Sequence, residues 1–426
     1  MTSFRQPGTV LTDHLFAVPL DHSQPDGEQI EIRAREVAGA DKDGADLPWL
    51  LFLQGGPGSG AQRPAGREGW LDRALRQYRV LLLDQRGTGR SSPANRRTLA
   101  RLGSAQAQAD YLTHFRADSI VLDAELIRRQ LTDEPWAVLG QSFGGFCVVS
   151  YLSFAPHGIR EAFVTGGLPG LTATADDLYR RTYRTVLGKN AAHYQRYPGD
   201  VGQAQLVASY LGEQDVRLPD GAPLSVEAFQ SVGAMLGHSD GSDSLHYLLE
   251  DPFAGDELSD AFRYAVMNEL TFSAAPLYAL LHEPCYAQGA ATRWAAQRVR
   301  AEFAEFDPGP AIARTAPLFF TGEMIYPWMI DADPVLRPLR EAADILAERA
   351  DWPPLYDPTR LAANEVPVAA AVYYDDMYVD RELSMQTAQA IGGLRTWVTS
   401  QYEHDGLRVS DGAVLDRLIG MCHGDI

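Results

Sequence analysis

Two stretches of the chain match Gly-x-Ser-x-Gly, a pattern in which a serine can serve as a nucleophile: GQSFG, with Ser142, and GHSDG, with Ser239. A serine hydroxyl attacks a carbonyl only when a base takes its proton and donors stabilise the oxyanion that forms. One such serine is enough, and the five-residue pattern does not choose between them. The flanks do. Ser142 follows the apolar run WAVLG and precedes GGFCVVSYL, which reads as strand, sharp turn and buried helix. That context strains the serine backbone and places the amide of Phe143 at a helix N-terminus, facing the oxyanion. Ser239 follows VEAFQSVGAML, a helical pattern, and precedes DGSDSLHYLLE, a turn and then another helix. Gly237 there reads as a helix C-cap and Asp240-Gly241 as turn residues, so Ser239 is expected to be a turn residue.

A nucleophile on a strand–turn–helix is followed along the chain by its acid and then its base. Of ten histidines, His404 in SQYEHDGLR lies in a loop after the strand-like RTWVTSQ. The acid should end the preceding strand, PVAAAVYYDD, which offers Asp376, with Asp375 as the alternative and otherwise a neighbouring loop carboxylate. His423 follows no strand and reads as a surface residue. In LFLQGGPGSG a strand ends in Gly55 and Gly56, whose amides offer a second oxyanion donor at a sheet edge. No Gly-Lys-Ser/Thr follows, so this is not a phosphate loop. In VLLLDQRGTGRSSP, Asp84 and Arg86 are expected to form an internal ion pair that fixes the loop, and GTG is too short for a dinucleotide fingerprint.

These residues need a scaffold that brings distant loops together. PWLLFLQGG, YRVLLLDQRG, WAVLGQS and EAFVTGG are continuous apolar runs, as expected of strands buried on both faces of a parallel sheet. LFAVPL and QIEIRAREV predict a strand pair near the N-terminus, and ADSIVLDAELIRRQL a helix between strands. From about Leu171 the pattern becomes helical and aromatic, in DDLYRRTYRTVLGKNAAHYQRY, DAFRYAVMNELTF and ATRWAAQRVRAEF; strand character returns in PVAAAVYY and RTWVTSQY. The expected organisation is α/β: a core in residues 1–170, a helical cap in 171–355, and the rest of the core in 356–426. The sheet should be mostly parallel and flanked by helices.

The bulk composition narrows the partners. With 426 residues, a net charge of −19 and a pI near 4.9, the chain lacks the clustered positive charge that nucleic acid requires. Three cysteines, Cys147, Cys285 and Cys422, are odd in number and far apart, giving neither a disulfide framework nor a metal motif. MTSFRQPGTVLTDHLFAV shows no signal-peptide core, and no apolar run reaches the ~20 residues that span a bilayer. A cytoplasmic protein without metal, cofactor or membrane partner is expected; the oligomeric state is left open.

GGPG after one strand, DQRGTGRS after the next, GQSFGG, and a late Asp and His together resemble the prolyl aminopeptidases, or proline iminopeptidases, of the α/β-hydrolase fold. The likeness runs over most of the chain, LLHEPCYAQG and FTGEMIYPWM included, and is greatest to the longer members. Gln54 departs from it, since many relatives have His before GGPG. The resemblance implies a serine exopeptidase acting on peptides with an N-terminal proline, with Ser142, His404 and Asp376 as triad. It also implies that carboxylates of the insertion hold the substrate's amino end, which offers Glu283 and Glu323; Tyr326 and Trp328 would wall the proline pocket. Physical sense supports this: a cationic nitrogen in a partly desolvated pocket needs an anion, and an internal peptide bond carries no charge. A broader aminopeptidase or an esterase would share these residues, as would a non-catalytic binding module. Relatives with epoxide or dehalogenase chemistry carry Asp where this chain has Ser142.

Overall fold

The computed structural model describes residues 2–426. The strands are, in chain order, β1 Thr2–Gln6, β2 Thr9–Pro19, β3 Gln29–Gly39, β4 Trp49–Leu53, β5 Arg79–Asp84, β6 Trp136–Gln141, β7 Ile159–Thr165, β8 Phe253–Ala254, β9 Glu257–Leu258, β10 Val368–Tyr373 and β11 Leu394–Thr399, and the apolar runs supply β4 to β7 and β10. β8 and β9 make a separate two-stranded pairing; the other nine form one sheet in the order β1-β2-β3-β5-β4-β6-β7-β10-β11. β1, β2, β3 and β5 pair antiparallel. From β5 through β11 every neighbouring pair is parallel.

Alternation along each central strand explains why the runs are apolar throughout. Leu51 and Leu53 of β4, Leu81 and Leu83 of β5, and Trp136 and Val138 of β6 enter one core. Leu50, Phe52, Val80, Leu82, Ala137 and Leu139, the intervening residues, enter a second core on the opposite face. A period of two with both faces buried leaves no polar position. The helices Ala117–Leu131 and Phe143–Phe154 cover the first face. Gly69–Leu75 and Ala413–His423 cover the second. Phe143–Phe154 is buried along all but its last residue, so it needs no polar stripe.

Between Thr165 and Val368 the regular elements are helices apart from β8 and β9, with Ala175–Arg196, Asp200–Glu213, Gly241–Glu250 and Asp260–Leu270 as the longer ones. The helix expected over ATRWAAQRVRAEF is shorter, Ala295–Arg300. Arg293 and Trp294 both take positive φ, at 50° and 55°, and this left-handed bend delays its start. Among the described residues no helix is long and apolar enough to cross a membrane.

The order reverses where β4 lies between β5 and β6, which opens a crevice at the carboxyl ends of the strands. Leu53 is level with Gly140 in the parallel register, so the loops after β4 and β6 emerge side by side.

Candidate active site

Ser142 is the turn between β6 and the helix Phe143–Phe154, with φ 55° and ψ −126°. That conformation costs a non-glycine residue roughly 1–3 kcal/mol and persists only where packing enforces it. The packing is visible at the glycines around it. A Cβ on Gly144 would stand 1.9 Å from the Leu53 carbonyl oxygen, and one on Gly140 would stand 2.4 Å from the Gly144 oxygen. Strand, turn and helix approach too closely for any side chain there. Phe143 opens the helix, so its amide is among those without an intrahelical acceptor and is free for an oxyanion. Gly55 lies against the nucleophile: a Cβ on it would be 2.9 Å from the Ser142 Cβ. Gly56 follows with φ 135° and a cis bond to Pro57.

His404 is buried, and its Nδ1 lies 2.7 Å from Asp376 Oδ2. The other oxygen of Asp376, Oδ1, accepts the amides of Tyr378 at 2.9 Å and Val379 at 3.0 Å. An ionised carboxylate only accepts, so Nδ1 carries the hydrogen and Nε2 is left as the base. Burial disfavours the charged ring, but the Asp376 charge and hydrogen bond outweigh it, with Glu323 adding, and the His404 pKa is raised. Asp375 is exposed on the same loop. Two adjacent glycines after β7 link the halves of the site: a Cβ on Gly167 would meet the Ser142 carbonyl at 2.4 Å, and one on Gly166 would meet His404 Nδ1 at 3.0 Å.

Glu323, close enough to His404 and Asp376 to feel their charges, lines a cavity of about 310 Å³ with Tyr278, Ile325, Trp328 and Met329. The Tyr278 hydroxyl donates to Glu323 Oε1. Burial lifts the Glu323 pKa to about 7, against the opposing pull of Tyr278 and His404. Among the described residues no Lys or Arg pairs with it. Glu283 is placed differently. It does not line this cavity. Its oxygens accept the amides of Ala295 at 3.0 Å and Ala296 at 2.9 Å, so it caps the helix that the left-handed bend delays. Of the two expected wall aromatics, Trp328 lines the cavity, whereas Tyr326 is fully buried behind it, stacked on Trp328 and hydrogen-bonded to the Tyr183 hydroxyl at 2.8 Å. Tyr278 carries no motif that marks it in the sequence; its place on the short helix Pro276–Leu281 over the Gly58 loop emerges only in three dimensions.

The expected Asp84–Arg86 pair is not formed. Arg86 is held by Asp123 at 2.6 and 2.7 Å and by the carbonyls of Pro19, Leu20 and His114. Asp84 instead binds the amides of Ala61 and Arg90 and the Arg63 guanidinium, which ties down the chain following Gly55-Gly56-Pro57-Gly58. Ending β5 with its carboxylate inward, Asp84 meets that loop and not its own neighbour. The Gln54 carbonyl accepts from the Gln85 side chain at 3.0 Å, so this loop is also tied from below. Among the described residues no group of three or more His, Cys, Asp or Glu is arranged to hold a metal ion.

A sequence model of the alpha/beta hydrolase fold matches residues 48–407. The chain is 52% identical over 408 residues to a proline iminopeptidase of Aeromonas sobria, covering 95% of both chains. It is 37% identical over 421 residues to a proline iminopeptidase of Aspergillus aculeatus, covering 95% of this chain and 92% of that one. A strained serine and a histidine–aspartate pair at the carboxyl edge of this sheet, together with likeness over nearly the full length, show that the chain belongs to the proline iminopeptidases of the α/β-hydrolase fold.

Proposed function

We propose that this chain is a serine exopeptidase that removes proline from the amino end of peptides, with Ser142, His404 and Asp376 as its triad. The observation that carries the reading is a buried His404–Asp376 pair and a strained Ser142, both packed against the turn Gly166-Gly167, with Glu323, a carboxylate left without a cation, close enough to interact with His404. Ser142 Oγ attacks the carbonyl carbon of the first residue as His404 Nε2 takes its proton. The amide of Phe143, with that of Gly55 or Gly56, receives the oxyanion. Collapse expels the peptide amine, protonated by His404, and leaves prolyl-Ser142. Water, deprotonated by His404, then attacks the ester and frees proline.

Glu323 pairs with the substrate's ammonium group, and Trp328 supplies apolar wall beside it. Glu283 and Tyr326 serve this pocket from behind, by capping and by stacking. Selection of a chain end follows, because only a free amino terminus brings the positive partner that the Glu323 carboxylate lacks. Residues 171–355 act as a cap over a core made of 1–170 and 356–426. The free thiols of Cys147, Cys285 and Cys422 support a cytoplasmic setting. The test is a panel of arylamides of proline, alanine and N-acetylproline, with a short acyl ester. Free proline arylamide should be cleaved best and the acetylated form not at all. Equal cleavage of the acetylated form, or preference for the ester, would overturn the reading.

A further inference from the structure

Ser239, the second match to the serine pattern, is not idle. Its hydroxyl donates to Asp405 Oδ1 at 2.6 Å, and its amide reaches the two Asp405 oxygens at 3.2 and 3.3 Å. Asp405 is the residue after His404. Two positions before Ser239, the Gly237 carbonyl accepts the His404 amide at 3.2 Å. On the other side Glu403 takes Lys189 Nζ with both oxygens at 2.6 Å. Tyr378, whose ring meets that of His404 edge-on at 4.7 Å, donates its hydroxyl to the Ala234 carbonyl. Residues 403, 404 and 405 are thus each held from the segment between β7 and β10.

The scaffold on the core side is thin. β11, which leads into this loop, is an edge strand paired with β10 alone. Hydrogen bonds to a carboxylate are shorter and stronger than neutral ones, so Ser239–Asp405 and Lys189–Glu403 add restraint to a loop whose leading strand is paired on one side alone. The glycines of GHSDG have their own reasons. A Cβ on Gly237 would lie 2.3 Å from the Tyr378 ring, and one on Gly241 1.8 Å from the Met235 carbonyl. Gly237 is glycine so that Tyr378 can pack between the cap and His404.

We propose that Ser239 is a positioning residue for the reaction: with Gly237 and Lys189 it clamps the His404 loop, so the base reaches Ser142 in register only while the cap is docked. The inference rests on the triad reading given above. Small displacements of a catalytic group cost rate without weakening ground-state binding.

The test compares wild type with Ser239→Ala, Ser239→Thr, Asp405→Asn and the Ser239→Ala/Asp405→Asn double variant, with Ser142→Ala as control. Three quantities are read: kcat and KM on proline arylamide, the rate of Ser142 labelling by a fluorophosphonate, and thermal unfolding. Ser239→Ala should lower kcat and labelling rate together by about five- to tenfold, with KM within twofold. Ser239→Thr should restore both, and the double variant should be no slower than the slower single one. Wild-type kcat and labelling in Ser239→Ala, or a loss confined to thermal stability or KM, would overturn the proposal. An inactive Ser142→Ala beside a fully active Ser239→Ala would remove this inference alone, whereas an active Ser142→Ala would remove the triad itself.

Discussion

Asp376→Asn is the sharpest perturbation of the proposed triad, because the structure dictates how the amide must lie. Asp376 Oδ1 accepts two backbone amides, from Tyr378 and Val379, and Oδ2 accepts His404 Nδ1–H. Asparagine has one oxygen. Turning its NH₂ toward two N–H donors would leave both amides unsatisfied, at about 1–3 kcal/mol each. Its oxygen therefore stays on the amides and its NH₂ faces His404. Nδ1 must then accept, the proton moves to Nε2, and the base can no longer take the Ser142 proton. A wrong tautomer of this kind costs about 10⁴ in kcat in serine enzymes with a comparable triad, or ~5 kcal/mol of barrier. The carboxylate also raises the His404 pKa, so its loss lowers that pKa. The base form then persists to lower pH, and the acid limb of the residual activity moves down. The assay is the kcat–pH profile on proline arylamide from pH 5 to 9, with thermal unfolding as a check on folding. A folded Asp376→Asn enzyme within tenfold of wild-type kcat, or with an unmoved acid limb, would show that Asp376 does not set the tautomer of His404.

Further outcomes follow from the same geometry. Glu323→Gln should lower kcat/KM on proline arylamide by about 10- to 150-fold, the worth of a hydrogen-bonded charge at ~1.5–3 kcal/mol; unchanged kinetics would exclude Glu323 from amino-end binding. The same variant should alter pH-dependent stability. The Glu323 pKa is raised from 4.5 to about 7, so the folded protein keeps a proton that the unfolded chain releases, and stability is lost as pH rises through that window. Glu323→Gln should therefore raise Tm at pH 8 by the equivalent of at most ~3 kcal/mol and leave it nearly unchanged at pH 4; equal shifts at both values would contradict this. Gly144→Ala forces a methyl to within 1.9 Å of the Leu53 oxygen, where only backbone can yield. It should cost ~1–3 kcal/mol of stability and most of the activity, and wild-type behaviour in a melt and an assay would count against the enforced turn at Ser142.

Much of the candidate catalytic group is readable along the chain because its signals are local. Ser142 leaves a buried strand and enters an apolar helix, whereas Ser239 joins two helical segments; the flanking periodicity separates them where the motif does not. Asp376 follows from counting along β10. The cavity is another matter. Tyr278 and Trp328 line it while Tyr326 stacks behind, yet all three are aromatics in helical or irregular stretches, and nothing in the local pattern says which side faces the ligand. Glu283 and Glu323 are both shielded carboxylates near proline-rich turns. Only the fold shows that one meets two amides a dozen residues later, while the other faces a cavity. Arg86 was misassigned for a related reason, since Asp123, its partner, lies 37 residues on and belongs to a helix packed across the sheet. The clamp on His404 was hidden too, because its contacts join residues more than 160 positions apart.

The central claim is that Ser142 is the nucleophile of a proline-releasing peptidase. Its most direct test is hydrolysis of proline arylamide by wild type and by Ser142→Ala, purified alike and shown to be folded. Wild type should cleave it, and kcat of the variant should fall by about 10⁶, the scale seen when a serine nucleophile is removed. Proline release by Ser142→Ala at the wild-type rate would contradict it.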